Sequence, residues 1–406
     1  MMLAFVFIGI FFIFNFHVIY GAVFTVDENN YFESTPSLNN QTELTAQNQT
    51  QTELTAQNQT QTELTAQNQT QTELPAKDKA QLREDKQSKK QKELLEKCGK
   101  INDKPLDPDQ QKHYVQKFFA NGTFIDSWGT KGEGEGQFIH PHNIAVDKDS
   151  NVYVTDEQRH DVQKFDCNGN FLLSWGAPEN PDLFSKRMED INVDRDGNVW
   201  VVDWGKGKMY KFDTNGTLLF SFGKKGDELG EFDRSWGIAF DSENNIYTTE
   251  KYAYRIQKFD PEGNFIKSWG EFGEGKNQFQ HLHAIVVDSK DNIYVNDEDN
   301  QDIQKFTSDG KFIKRWGYPG VESHPYGLDE PHGMAFDSNE LLYVIDTQNH
   351  EIHVFSTDGE HVKSIGGVKG EDPSKGEFLL MHDLDIDSND IIYVLDSRDA
   401  HPNKIN

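Results

Sequence analysis

Positive charge and sulfur are what this sequence has least of. It holds 40 Lys+Arg against 68 Asp+Glu, a formal charge of −28, and no Lys or Arg occurs before Lys77. A phosphate backbone selects clustered cations, so a chain this acidic argues against nucleic acid as a partner. Two cysteines, Cys98 and Cys167, are too few for a disulfide scaffold, a cysteine-rich zinc module or a RING-type front end. Whether those two pair is left open by the sequence. Hydrophobic residues make up only 35% of the chain, yet 29 Phe, 13 Tyr and 7 Trp make that fraction strongly aromatic. Such a composition suits packed β-structure better than helical bundles.

Long apolar runs are also scarce, and the one that stands out is N-terminal. Ala4 to Phe14 reads AFVFIGIFFIF, the length of a signal-peptide core, and Gly21-Ala22 resembles a cleavage site. Residues 1–22 are therefore expected to be a signal peptide, or an anchor if uncleaved. An uncleaved anchor is the one expected route to membrane contact, and the remainder is expected to be secreted or displayed at the cell surface. Residues 23–76 are dominated by tandem copies of QTELTAQNQT, which cannot bury enough apolar area to offset ordering entropy and are expected to form a disordered stalk. Asn-Gln-Thr triplets at Asn40, Asn48, Asn58 and Asn68, with Asn-Gly-Thr at Asn121 and Asn215, are glycosylation acceptors in an exported chain. Residues 77–104, with ten Lys/Arg and six Asp/Glu, have the composition of a solvated, charged helical linker.

The rest of the chain repeats. An aspartate that ends an apolar strand recurs at Asp147, Asp194, Asp241, Asp288, Asp337 and Asp387, spaced 47, 47, 47, 49 and 50 residues apart. Each unit reads as four short apolar runs bounded by Asn, Asp and Gly, for example NIAVD, VYVTD, VQKFD and FLLSWG, the pattern of hairpin-linked strands. Four antiparallel strands make a propeller blade, and six blades close a ring that leaves no long free edge. The C-terminus supplies two strands of a last unit (HDLDID and IIYVLD) and a poor third (NKIN), while Tyr114–Phe118 and Thr123–Gly129 read as a third and a fourth strand. Joining them completes the sixth blade. The bulky ends of the fourth strands, Trp128, Trp175, Phe222, Trp269, Trp316 and Ile365, are expected to pack between blades.

Pro-His-Asn-Ile-Ala-Val-Asp, Asn-Val-Tyr-Val-Thr-Asp and Val-Gln-Lys-Phe in the first full unit, recurring in five more over residues 112–406, resemble the NHL repeat family. The resemblance implies an all-β six-bladed propeller. Such propellers serve as protein-, RNA- or carbohydrate-associated binding modules and, in one branch, as enzymes. The tripartite-motif relatives that bind RNA or act in ubiquitin transfer resemble only the propeller, and residues 112–406 carry 30 Lys+Arg against 53 Asp+Glu.

Five residues before each repeated Asp stand His142, Glu189, Trp236, His283, His332 and His382. Innermost strands of a propeller line its channel, so these six positions are expected to converge on one mouth, where imidazole and carboxylate suit zinc or calcium. His140 and His281, two residues earlier, would share that side of their strands. The NHL family's peptide-amidating lyase branch, a zinc enzyme, resembles this arrangement in taking Pro-His ligands from alternate blades. Carried over, it implies Glu189, His283 and His382 with Tyr252 as acid/base, or else His142, Trp236 and His332. Glu298 replaces that branch's arginine and its paired cysteines are missing, which argues against its activity. The second repeated acid (Asp156, Asp203, Glu250, Asp297, Asp346, Asp396) is expected to satisfy backbone N–H groups of the following loop. Loop residues Arg159, Trp204, Lys206, Tyr252 and Tyr254 differ between units and are the expected ligand contacts. The sequence thus leads to an exported, monomeric binding module for a protein, peptide or glycan, with a metal-dependent lyase or hydrolase as the alternative.

Overall fold

The computed structural model describes residues 89, 96–98, 113–317, 327–370, 372 and 375–397. The expected signal segment, the stalk, the NKIN strand and most of the charged linker lie outside these residues. Among the described residues no helix is long and apolar enough to cross a membrane.

Six four-stranded antiparallel sheets follow one another along the chain. Blades 1 to 5 open on innermost strands Pro141–Val146, Met188–Val193, Ser235–Phe240, Leu282–Val287 and Pro331–Phe336. Blade 6 is built from both ends of the described chain. Met381–Ile386 and Ile391–Ser397 form its inner half, and His113–Phe119 with Phe124–Trp128 its outer half. The joint is a seven-residue antiparallel pairing that runs from His113 opposite Ser397 to Phe119 opposite Ile391. A central cavity of about 210 Å³ is lined by all six innermost strands.

The repeated letters have repeated jobs. Asp147 accepts the backbone N–H groups of Asp149 and Asn151, both at 2.9 Å, and the Tyr153 hydroxyl at 2.9 Å. That closes the first hairpin turn, and Asp241 and Asp288 do the same with Tyr247 and Tyr294. In Val-Gln-Lys-Phe, Gln163 ties down the segment leading into its blade, accepting from Gly136 N at 2.9 Å and donating to Gln137 O at 2.7 Å. In blades 1 and 4 the lysine reaches the next blade, where Lys164 Nζ donates to Thr214 O at 2.8 Å and Lys305 Nζ to Thr357 O at 3.0 Å. The phenylalanine is core. Fourth-strand ends pack between blades as expected. A Cβ on Gly169 would lie 2.6 Å from the Trp128 ring, and one on Gly310 2.6 Å from Trp269. Both glycines also hold positive φ, so the turn of each following blade has to be glycine twice over.

Cys98 and Cys167 form a disulfide. It joins the segment ahead of the blade 6 strands to the outer turn of blade 1. Lys117 Nζ sits under it, donating to Cys98 O at 3.1 Å and Cys167 O at 2.6 Å, and burial lowers this ammonium to about 8. Cover by Cys98 shows in one position of the outermost strands. Leu172, Leu219, Ile266, Ile313 and Val362 are 44–52% exposed, whereas the equivalent Ile125 is 3% exposed, packed in one cluster with Cys98 and Cys167.

The cross-link closes a loop of 69 residues at the seam where the ring shuts. Chain entropy assigns it about 4 kcal/mol. Chemical denaturation of the full chain should show the Cys98→Ser/Cys167→Ser variant destabilised by about 2–4 kcal/mol; an unchanged midpoint would mean that the strand pairing alone secures the seam.

Candidate metal centre

The channel mouth owes its side chains to a repeated irregularity. Where each innermost strand starts, its pairing with the second strand slips: Pro141 and Ile144 are consecutive partners, as are Met188 and Asp190, Ser235 and Ile238, Leu282 and Ile285, Pro331 and Met334, and Met381 and Asp383. His142, Glu189, Trp236, His283, His332 and His382 fall inside these slips. A bulged residue leaves the ladder and its side chain is re-aimed. Here the six form a collar. Ring centroids are 4.0 Å apart for His142 and His382, 5.2 Å for His382 and His332, and 4.3 Å for His332 and His283, the last pair nearly parallel at 6°. Trp236 Nε1 donates to His283 Nε2 at 2.9 Å. Glu189 faces His142 Nε2 at 3.7 Å and accepts from the Trp204 indole.

Among the described residues two buried ligand groups emerge, and neither is an alternate-blade set. His283, His332 and His382, all buried, come from three consecutive blades and offer nitrogens within 4.8 Å of one another. His142, Glu189 and Glu157 form a second buried group. Glu189 therefore parts from His283 and His382 and joins His142, its neighbour across a single blade boundary. Trp236 serves as a hydrogen-bond donor to a collar histidine. A third, more exposed group is His281 with Glu298 and Asp299. Glu157, missed in the sequence, directly follows the second repeated acid. Burial works to raise its carboxyl, but His140, His142 and Arg187 outweigh burial and hold it below its ordinary value. Burial raises Glu189, against the pull of His142.

The loop residues separate into two kinds. Arg159 is bound within blade 1, paired with Asp161 at 2.8 Å and donating to Gly134 O at 3.1 Å. Lys206 donates to the carbonyls of Asp182 and Leu183. Tyr254, at φ 53°, packs its ring on Phe272. Trp204 and Tyr252 instead stand beside the collar with cations on their faces. Arg234 lies 4.2 Å from the Tyr252 centroid and 5.3 Å from Trp204, and Lys251 is 4.2 Å from Trp236. Tyr252 is 45% exposed, outside the buried collar.

The second repeated acid does more than expected. Asp156 accepts from Gln158 and Arg159 in the following loop, each at 3.1 Å, and also from Ile139 at 2.6 Å and His140 at 3.0 Å in the lead-in. It pins the segment that carries the collar residue. Asp297 repeats this with Gln280, His281 and Asn300.

Below the collar, Asp190, Asp383 and Asp385 face the cavity. Burial pushes Asp383 and Asp385 up to about 7. Asp190 is driven well above its ordinary value by burial and by Asp383. Backbone N–H groups hold these carboxyls: Ile144 to Asp383 at 3.0 Å, Val146 to Asp385 at 2.7 Å and Ile238 to Asp190 at 2.7 Å.

A family profile described as a 6-bladed beta-propeller matches residues 334–401. The chain is a six-bladed β-propeller. No curated protein matches it. Among solved structures it is similar to a protein of unknown function from Bacteroides thetaiotaomicron, at 14% identity over 70% of this chain and 76% of that one, TM-score 0.52. It is also similar to virginiamycin B lyase from Staphylococcus aureus (15%, 70% and 99%, TM-score 0.45). A gluconolactonase from Xanthomonas campestris gives 12% identity over 64% and 87%, TM-score 0.46. At such identities the likeness is one of fold alone.

Because Asp385 is raised from an ordinary 3.8 to about 7, the folded protein holds a proton there that the unfolded chain has already lost. Its contribution therefore favours folding in acid, and is lost as pH rises from about 4 through about 7. The Asp385→Asn variant should be more stable than wild type at pH 8, by order 1 kcal/mol or more, and no more stable at pH 3, below the ordinary carboxylate range. Equal denaturation midpoints for the two proteins at both pH values would mean that burial does not control this carboxyl.

Proposed function

We propose that this is an exported, NHL-type propeller that binds its ligand across the collar face, at a divalent transition metal held by His283, His332 and His382. The observation that carries this reading is the convergence of three buried imidazoles from blades 4, 5 and 6 on one point of the mouth. Imidazole nitrogen suits zinc, copper, nickel or cobalt, and an all-nitrogen set disfavours calcium. Three protein ligands leave a position open, which is what a ligand-binding or catalytic metal needs and a purely structural one does not. Export is supported by the apolar run at Ala4–Phe14 and by the Cys98–Cys167 disulfide, since such bonds persist in oxidising compartments.

The metal-dependent lyase or hydrolase reading is favoured by one observation. His142 stands 4.0 Å from His382, ring to ring, with Asn143 Oδ1 2.5 Å from its Nδ1 and Glu189 3.7 Å from its Nε2. An imidazole backed by a carboxylate beside an open metal position is a general-base arrangement. Turnover of a peptidyl-α-hydroxyglycine substrate by the zinc-loaded chain, lost in His142→Ala with zinc retained, would establish it; absence of turnover in wild type leaves the binding module.

Trp236 gives the metal reading a sharp test. Its indole N–H occupies the lone pair of His283 Nε2, so a metal taking that nitrogen displaces one hydrogen bond of about 1 kcal/mol. Elemental analysis after zinc loading should find about one zinc per chain, lost in His332→Ala and His382→Ala. Trp236→Phe should bind zinc about fivefold more tightly. Zinc-free wild type and Trp236→Phe proteins would sink the proposal.

A further inference from the structure

We infer that blades 2 and 3 carry a carboxylate-binding subsite, built by Arg187, Arg234, Lys225 and Lys251 around Trp204 and Tyr252, which receives an anionic group of the ligand beside the collar. The inference rests on the reading of this face as the ligand face and adds the chemical class of what docks there.

Two positions define it. One lies two residues before the collar residue, and the other directly follows the second repeated acid. A backbone hydrogen bond joins the two in each blade concerned: Glu157 N to His140 O at 3.1 Å, Trp204 N to Arg187 O at 3.1 Å, Lys251 N to Arg234 O at 3.2 Å and Glu298 N to His281 O at 2.9 Å. The backbone is the same and the side chains are not. Blades 1 and 4 place a histidine against a glutamate, His140 with Glu157 at 3.4 Å and His281 with Glu298 at 3.1 Å. Blades 2 and 3 place Arg187 against Trp204 and Arg234 against Lys251, with no acid at either position.

Four cations thus gather on one sector of a chain whose formal charge is −28. Arg255 and Lys211, by contrast, are paired, with Glu250 and Asp194, each at 2.9 Å. Among the described residues, none of Arg187, Lys225, Arg234 and Lys251 forms an ion pair. Of the carboxylates that act on these cations, Glu189 is taken by the Trp204 indole and His142, Glu157 faces His140, and Glu298 and Asp299 face His281. Aromatic faces hold the cations instead: Arg187 at 5.4 Å, Lys225 at 5.5 Å and Arg234 at 5.3 Å from the Trp204 centroid. Arg234 is fixed further by its backbone, at φ 58°, a region that residues other than glycine occupy at a cost.

Like charges held together repel, and an anion between them removes that cost. A guanidinium stacked on a ring keeps its N–H edge turned outward, the geometry that forks a carboxylate. Multiply charged anions such as phosphate are disfavoured by the negative field of the whole chain, which a monoanion feels least. The sector also touches the metal ligands, because Lys251 lies over Trp236 and Trp236 bonds His283.

The test titrates the full chain, freed of metal on a chelating resin, with benzoate, benzamide and inorganic phosphate, following the indole N–H signals by NMR. Metal removal prevents a carboxylate from reporting on a metal instead of the cations. Benzoate should bind, benzamide should not, and phosphate should bind more weakly than benzoate. Arg234→Gln and Lys251→Gln should each weaken benzoate about tenfold with thermal midpoint unchanged, whereas His332→Ala should not. Benzamide binding as well as benzoate, phosphate binding more tightly, or full affinity in both glutamine variants would overturn the inference. Zinc content of the same proteins, measured separately, tells its failure from failure of the metal reading: benzoate binding in a chain that takes up no zinc retains the subsite and removes the metal.

Discussion

Closure of the ring is the constraint on which everything else in this molecule depends. Each blade can bury the inner face of its sheet only against two neighbours, so six blades in a row would leave two open faces. Pairing His113–Phe119 with Ile391–Ser397 removes both at once. The channel, the collar and the inward-facing acids exist only in the closed state, since each is assembled from strands that meet nowhere else in the chain. Lys117, Lys164 and Lys305, which cross blade boundaries, and the bulky fourth-strand ends are the local expression of the same requirement.

Within that frame, chemistry comes from small departures between equivalent positions. The bulge at the head of every innermost strand delivers six side chains to one place. What is delivered differs by sector: imidazoles from blades 4 to 6, a carboxylate with an imidazole from blades 2 and 1, and an indole from blade 3. Immediately outside, the same backbone carries histidine–glutamate pairs in two blades and unpaired cations in the two between them. An otherwise symmetric scaffold becomes polar across its face in this way, with clustered imidazoles on one side and positive charge on the other. The acids below the collar add a negative floor whose protons are governed by burial.

Much of this was legible in the sequence because repetition turns a weak signal into a strong one. A single NIAVD run says little, but six at near-constant spacing specify the blade, its strand order and even the two-ended sixth blade. The collar positions were legible for the same reason. Their grouping was not, because alternate-blade sets take no account of the bulge that brings His283, His332 and His382 together. Arg187 and Arg234 were overlooked although they occupy the same register as His140 and His281, which were noticed. Arginine is not a metal ligand, so residue type hides a register that position reveals. Arg159 and Lys206 illustrate the opposite error, since variation between loops also arises when a long side chain caps carbonyls of its own blade. No sequence pattern marked the Cys98–Cys167 pair, whose proximity depends on the seam.

The two-ended blade has a further consequence for how the molecule is made. During synthesis His113–Trp128 emerges ahead of the other five blades, but the two strands that complete its sheet emerge only after all five. At ordinary elongation rates this leaves an unpaired hairpin waiting for on the order of tens of seconds. Its free edge is the surface on which a nascent chain would pair wrongly. Cys98 and Cys167 bracket that hairpin, one leaving the ribosome just before it and the other soon after, so their bond can fasten the hairpin to the first blade long before Ile391–Ser397 exists. The cross-link then acts as a placeholder for the missing strand.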